Sequence, residues 1–287
     1  MRLRNTLRRI LTAPFRWIAW PFKKLRDFIN YEASDSSLSE VLAQSLEKPT
    51  DLLEHLTALR GVLIRSVIAL LITTTISFAF APRILEFLSI PIGGTDTLQA
   101  IEVTESVGAF MRVSLLSGLV IAFPYIWIEF FVFIHPGLKR RERVFVLTAM
   151  PFATLLFLAG LAFAYYIMLP AALDFLLDFM DISTVPRPSN YIRFVTGIMF
   201  WIGVAFQFPL IIYTLAAIGL VRARLLLEGW RIAVVAIAVL AAAVTPTVDP
   251  VNMGLVMAPM IVLYLLSILF AAAAERRHQR RNAVQNS

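Results

Sequence analysis

Six apolar runs, separated by short polar segments, dominate the hydrophobic pattern of the chain. They cover residues 61–81, 113–134, 145–170, 194–220, 232–244 and 251–274. Five of them are close to the ~20 residues that a helix needs to cross a ~30 Å hydrocarbon core. The fifth run has 13 residues and, at a rise of ~1.5 Å per residue, reaches only ~20 Å. The pattern predicts an all-α membrane protein with six transmembrane helices, of which the fifth is short.

Basic and acidic residues alternate from one loop to the next. Basic residues collect after the second, fourth and sixth runs, in the sequences LKRRER, VRARLLLEGWR and ERRHQRR. Acidic residues collect in loops 83–111 and 171–192, and TPTVDP forms the third loop of this side, which we call the acidic side. Because Lys and Arg mark cytoplasmic loops, the pattern predicts that both termini lie in the cytoplasm.

The segments outside the runs divide the chain into four parts. Residues 1–31 alternate basic side chains with aromatic and aliphatic ones, which is typical of an amphipathic helix on an anionic membrane surface. A signal peptide is the competing interpretation, although Arg16 and Lys23 interrupt any apolar core. The other predicted parts are a Ser-rich linker at 32–50, the membrane domain at 51–274 and a basic tail at 275–287.

The composition also indicates a membrane protein. Of the 287 residues, 59% are hydrophobic and 16% charged, and the mean hydropathy of +0.77 is too high for a soluble domain. A net charge of +7 would suggest nucleic-acid binding in a soluble protein, but membrane topology explains it here, and we expect no nucleic-acid partner. The chain has no cysteine and its three histidines are far apart, so we expect neither a disulfide nor a metal site.

Motifs for enzymatic chemistry are missing from the sequence. Walker A, GxGxxG, HExxH and GxSxG are all absent, so we expect no enzymatic activity and no cofactor. A small-molecule secondary transporter stays open as an alternative. Such transporters commonly have ionisable residues within their spans and an internal repeat. The apolar runs of this chain hold few ionisable residues and show no internal repeat.

One strongly polar side chain, Gln207, lies deep in the fourth run and precedes Pro209 by two residues. An amide in hydrocarbon needs a hydrogen-bond partner. It could join two helices, bind the backbone carbonyl that Pro209 leaves unpaired, or contact a segment that enters laterally from the lipid. Arg65, near the start of the first run, is expected to extend to the membrane surface.

A second candidate cluster lies on the cytoplasmic side. Glu54 and Arg60 precede the first run, and residues 133–143 follow the second. Carboxylates beside a basic surface could bind an incoming guanidinium through two hydrogen bonds. Glu142, which stands among Lys139, Arg140, Arg141 and Arg143, could equally form a structural ion pair.

Five stretches resemble the TatC family of twin-arginine protein translocases, in the same order and with similar spacing. They are LLEHLTALR, FVFIHPGLKRRER, GLAFAYYIMLP, NYIRFV leading to FQFPLII, and VTPTVDPVNM followed by AP at 258–259. The resemblance covers 51–274 and implies a cup-shaped bundle with a short fifth helix, leaving open whether the sixth is short as well. It also implies a receptor for twin-arginine signal peptides that exports folded proteins with the proton-motive force.

The same resemblance implies partners and site residues. The partners are single-span proteins of the TatA and TatB type, twin-arginine precursors and further subunits in a homo- or hetero-oligomer. Glu142 matches a loop carboxylate that contacts a signal-peptide arginine, and Phe133 and Pro136 match residues that shape that site. Arg60 matches the amino-terminal arginine of the family, and Gln207 matches its polar fourth-span position.

Three departures from the family pattern concern function. Ala58 stands where the family has a second carboxylate, and Leu265 replaces the Glu that commonly follows the tyrosine at 264. Glu54, on the same helical face as Ala58 and about one turn (~5.4 Å) away, could substitute. The third departure is the basic extension at 1–31. These departures leave open whether the chain is a divergent copy of a TatC protein.

Overall fold

The computed structural model describes residues 49–134, 140–177, 185–217, 221–244 and 250–285, with the backbone alone over several helix ends, including 49–56, 140–150 and 276–285. Within these ranges it has ten α-helices and no strand. The helices are α1 Pro49–Phe78, α2 Ala81–Ser89, α3 Glu105–Ile134, α4 Arg140–Phe163, α5 Leu169–Leu177, α6 Pro188–Ala205, α7 Phe208–Ala217, α8 Ala223–Glu228, α9 Trp230–Val244 and α10 Pro250–Gln285. A π-helical turn, Ala164–Met168, joins α4 to α5.

Five described helical segments are long and apolar enough to cross a membrane. They are Thr57–Phe78, Glu105–Phe130, Pro151–Leu173, Pro188–Ala216 and Met253–Glu275, and a shorter apolar helix covers Trp230–Ala243. The prediction of six membrane helices with a short fifth is therefore confirmed. The sixth is not short, because its span of 23 residues exceeds the ~20 that a bilayer requires.

The helices extend further into the acidic side than the hydrophobic pattern predicts. The predicted loop 83–111 contains α2, two 3-10 turns and the first turns of α3, which begins at Glu105. α2 is amphipathic, because only one of its faces, which includes Leu88, is buried. Its charged residues interrupt the apolar pattern, so the pattern assigns this segment to a loop. The fourth span begins at Pro188 and not at 194, because proline favours the first turn of a helix.

The chain forms two compact units. Of the described residues, one unit contains those up to Ala69 together with those of Ala122–Met150, and the other contains Leu70–Ile121 and those from Pro151 onwards. The second unit has an apolar core built from α2 to α6, α9 and α10, with Val113, Ile192, Ile198 and Val256 almost fully buried. Many large apolar side chains on the membrane spans face outwards, among them Leu71, Ile76, Leu155, Leu158, Leu265 and Leu269. Such an exterior is suited to lipid.

Two glycines allow α4 and α6 to approach closely. A Cβ atom on Gly160 would lie 2.9 Å from the Cα of Gly203 and 3.1 Å from the carbonyl oxygen of Ile202. Small residues at such crossings are the usual means by which membrane helices pack, because they bring the backbones together. Gly160 is the glycine of the GLAFAYYIMLP stretch, so close packing explains that part of the motif.

An ion pair joins the first residue of α3 to the residue that caps α6. The guanidinium of Arg187 binds the buried carboxylate of Glu105, with a 2.8 Å hydrogen bond from Nε to Oε1, and it also contacts Glu102 at 3.3 Å. The hydrogen bond to Glu105 raises the pKa of Arg187 above its usual value. The pair therefore places the starts of α3 and α6 side by side on the acidic side.

Candidate functional site

The predicted cytoplasmic site residues fall on three helices of one unit. Glu54 and Arg60 lie on α1, Phe133 lies at the end of α3, and Glu142 lies in the first turn of α4. Arg60 is exposed and Phe133 is half-buried, whereas only the backbone is described at Glu54 and Glu142. Pro136 lies outside the described residues. Binding of a ligand by these side chains stays a prediction.

Sequence reasoning missed an ion pair in the same unit, between Arg65 of α1 and Glu129 of α3. Arg65 Nη2 donates a hydrogen bond of 2.8 Å to Glu129 Oε2, and Nε lies 3.0 Å from both carboxylate oxygens. Tyr125, one turn earlier on α3, donates a 3.0 Å hydrogen bond to Glu129 Oε1. The Glu129 side chain is only 2% exposed, and that of Arg65 is 28% exposed.

The pair corrects the expectation that Arg65 extends to the membrane surface. Its guanidinium turns to α3 because a buried carboxylate offers charge-assisted hydrogen bonds. Space for this arrangement comes from Gly61, one turn earlier, where an added Cβ would lie 3.1 Å from Arg65 Nη1. The sequence did contain a signal, since Arg65 is the one charged residue of run 61–81 and Glu129 is the one charged residue of run 113–134.

A stack of aromatic rings also runs along α3, on a different face from Glu129. Trp127 stacks on Phe130 with ring centroids 5.7 Å apart and an interplanar angle of 1°, and on Phe123 with centroids 6.1 Å apart. The ion pair itself is in a low local dielectric because the Glu129 side chain is only 2% exposed, and this burial strengthens the attraction between the paired charges and makes the loss of one partner costly. Arg65 and Glu129 therefore fix how α1 is rotated against α3.

Gln207 lies at a break in the fourth span, between α6 and α7. Its side chain is 5% exposed, and its amide Nε2 donates a 3.2 Å hydrogen bond to the carbonyl oxygen of Ala153 on α4. Among the described residues, Gln207 Oε1 is buried without a hydrogen-bond partner. The donor half of the amide therefore connects the third and fourth spans, and the acceptor half is the group that could receive a further donor.

Metal-binding chemistry finds no support in the part of the chain that the structure describes. No group of three or more His, Cys, Asp or Glu side chains comes together there. The polar groups inside the spans instead bind one another or backbone carbonyls, as Arg65, Glu129 and Gln207 do. The hydrogen bonds of Arg65 to Glu129 and of Gln207 to Ala153 each join two helices, so these polar groups are suited to helix packing and to the recognition of polar groups.

Comparison with known proteins decides the family. A family model described as Sec-independent protein translocase protein (TatC) matches residues 54–259. The chain belongs to the TatC family. The TatC protein of Carboxydothermus hydrogenoformans is 34% identical over 78% of this chain and 94% of its own length, and that of Koribacter versatilis is 32% identical over 87% and 96%.

The fold comparison agrees with the TatC family. A crystal structure described as the twin-arginine translocase receptor TatC is similar with a TM-score of 0.70 and 33% identity, and it covers 77% of this chain and 99% of that one. TatC membership makes the chain a multi-pass membrane protein of a protein translocase family. It gives no support to the alternative of a small-molecule secondary transporter.

Proposed function

We propose that the chain is the twin-arginine signal-peptide receptor and core subunit of a Tat translocase, which exports folded proteins across the inner membrane using the proton-motive force. The observation that carries the proposal is the similarity to the solved twin-arginine translocase receptor over 77% of the chain. The family model begins at residue 54, so it includes EHLTALR and PGLKRRER, the two segments that would read the signal.

The proposed recognition site consists of Glu142, Phe133, Pro136, Arg60 and Glu54. Glu142 would bind a signal-peptide arginine through paired hydrogen bonds, which carboxylates form well with guanidinium. Phe133 and Pro136 would form the apolar wall beside it. That Glu54, Arg60, Phe133 and Glu142 belong to one compact unit supports a shared site.

Arg65 and Glu129 have a positioning role in this proposal. Glu54, Ala58, Gly61 and Arg65 follow one another at helical spacing, so they share one face of α1. Because Arg65 binds Glu129, this face is held towards the side of α3 on which Glu129 lies. The ion pair would thereby orient the face of α1 on which Glu54 stands and on which Ala58 replaces the family carboxylate.

The topology and partners of the family form part of the same proposal. Basic loops on one side support cytoplasmic termini and a cytoplasmic recognition site. TatA- and TatB-like single-span proteins would bind within the membrane, where Gln207 Oε1 offers a buried acceptor. The chain itself would act without enzymatic activity, as a receptor and channel component.

Complementation of a bacterial strain that lacks its own TatC tests the proposal. We expect the chain to restore export of a twin-arginine precursor, and Ala58→Glu to restore it more fully, because the added carboxylate completes the pair of acids. Leu59→Glu, which adds the same charge on a neighbouring face of α1, is the matched control and should give no gain. A photo-cross-linker at Phe133 should capture the precursor, and failure of both rescue and capture would refute the proposal.

A further inference from the structure

A cavity of about 700 Å³ lies in the larger unit, among α1, α3, α6 and α9. Its walls are mostly apolar, with Leu70, Leu116, Phe194 and Trp201 among the lining side chains. Two arginines, Arg112 of α3 and Arg193 of α6, also line it. Its volume lies within the ~300–1,000 Å³ typical of ligand sites.

The two arginines lie at similar depth below the acidic side. Arg112 is seven residues after the start of α3 and Arg193 is five residues after the start of α6, which corresponds to roughly 10 Å and 8 Å along the helices. The Arg187–Glu105 pair holds those two starts together. Because side chains tilt towards the N-terminus of their helix, both guanidiniums are directed back towards the headgroup level of the acidic side.

The guanidiniums have no anionic partner in the part of the chain that the structure describes. The guanidinium of neither Arg112 nor Arg193 forms a salt bridge or a hydrogen bond there, although the neighbouring acids Glu102 and Glu105 both bind Arg187. Cations inside apolar spans are costly and pair with an anion or mark a functional site. Two unpaired guanidiniums above an apolar cavity form a site that combines positive charge with hydrocarbon.

We propose that this cavity binds an anionic phospholipid from the leaflet on the acidic side. The phosphate accepts hydrogen bonds from Arg112 and Arg193, a pairing that suits the planar guanidinium. The acyl chain lies along Leu70, Leu116 and Trp201. Gly197 opens the space, since an added Cβ there would have no neighbouring atom within 4 Å. This inference goes beyond the receptor function and does not depend on it.

Native mass spectrometry of the purified full-length chain tests the site. The probes are phosphatidylglycerol, phosphatidylcholine with the same acyl chains, diacylglycerol without a phosphate, and inorganic phosphate. We expect one molecule of phosphatidylglycerol to remain bound most strongly, and the double variant Arg112→Gln/Arg193→Gln to weaken it by about tenfold or more. Gly197→Leu should displace the acyl chain and weaken phosphatidylglycerol and phosphatidylcholine alike.

Matched controls separate the site from general effects of charge or volume. Arg83→Gln removes an exposed cation from α2 on the same side of the membrane, and Gly254→Leu adds the same volume at a glycine of α10 with no neighbour within 4 Å. Both controls should retain the lipid. Unchanged binding by the double variant, equal binding of diacylglycerol, or occupancy by inorganic phosphate alone would overturn the proposal. If the double variant retained the lipid but lost self-association or partner binding, the cavity would be a protein interface, and this outcome would also overturn the proposal.

Discussion

Arg65 and Glu129, 64 residues apart in sequence, join α1 to α3 through hydrogen bonds from two guanidinium nitrogens to one buried carboxylate. Removing either partner leaves the other charge in an apolar setting, which costs about 3–5 kcal/mol for a buried pair. Replacing both with apolar residues removes the desolvation cost together with the attraction. The pair should therefore contribute more to the orientation of α1 than to total stability.

The first prediction is a thermodynamic cycle at this pair. Arg65→Leu and Glu129→Leu should each destabilise the protein by about 3–5 kcal/mol, whereas the double variant should lie within about 1–2 kcal/mol of wild type. Thermal unfolding in detergent measures all four proteins. Tyr125→Phe, which removes one neutral donor from the charged carboxylate of Glu129, should cost less, about 1.5–3 kcal/mol. Additive losses in the double variant would contradict the assigned coupling.

The spans could be predicted from the sequence because hydrophobic length alone determines them. The sequence marks Arg65 and Glu129 as the one charged residue of their runs, but not their pairing, because the hydrophobic pattern does not determine which helix each charge faces. The start of α3 at Glu105 was missed for a different reason. Its first turns carry polar residues that an apolar pattern assigns to a loop, although an acid there is favourable at a helix N-terminus.

The second prediction concerns the crossing of α4 and α6. Gly160→Ala should destabilise the protein by about 1–3 kcal/mol, because the new methyl group would lie 2.9 Å from the Cα of Gly203 and overpacking forces the helices apart. Gly254→Ala on α10 is the control, since its Cβ would meet no atom within 4 Å. That control should be neutral or stabilising by up to about 1 kcal/mol. Equal thermal stability of the two variants would refute the close approach.

The third prediction ranks the two carboxylates of the proposed recognition site. Glu142→Ala should weaken binding of a twin-arginine signal peptide by about tenfold to a hundredfold, as expected for a hydrogen-bonded charge pair. Glu54→Ala should have a smaller effect, because Glu54 lies about one turn (~5.4 Å) from the position that Ala58 occupies. Binding of a fluorescent signal peptide to the purified protein measures both. Equal or reversed losses would reject the ranking.

The fourth prediction separates the two uses of Gln207. Gln207→Leu removes the Nε2 hydrogen bond to Ala153 and also the buried Oε1 that has no partner among the described residues. The loss of one neutral hydrogen bond, about 1 kcal/mol, is offset because an unsatisfied acceptor is removed too, so the unfolding temperature should change little. Export should nevertheless fall severalfold, because the acceptor for a partner is gone.

A second variant in the same span provides the control for Gln207→Leu. Thr214→Val also removes a polar group, but the partner that the described residues give the Thr214 hydroxyl is the carbonyl of Leu210 in its own helix. Both variants should accumulate in the membrane at wild-type levels, and only Gln207→Leu should lose export and co-purification of TatA- or TatB-like partners. Wild-type export by Gln207→Leu would assign the amide to the packing of α4 against the fourth span alone. In that case the break between α6 and α7 would be a consequence of Pro209 and not a binding feature.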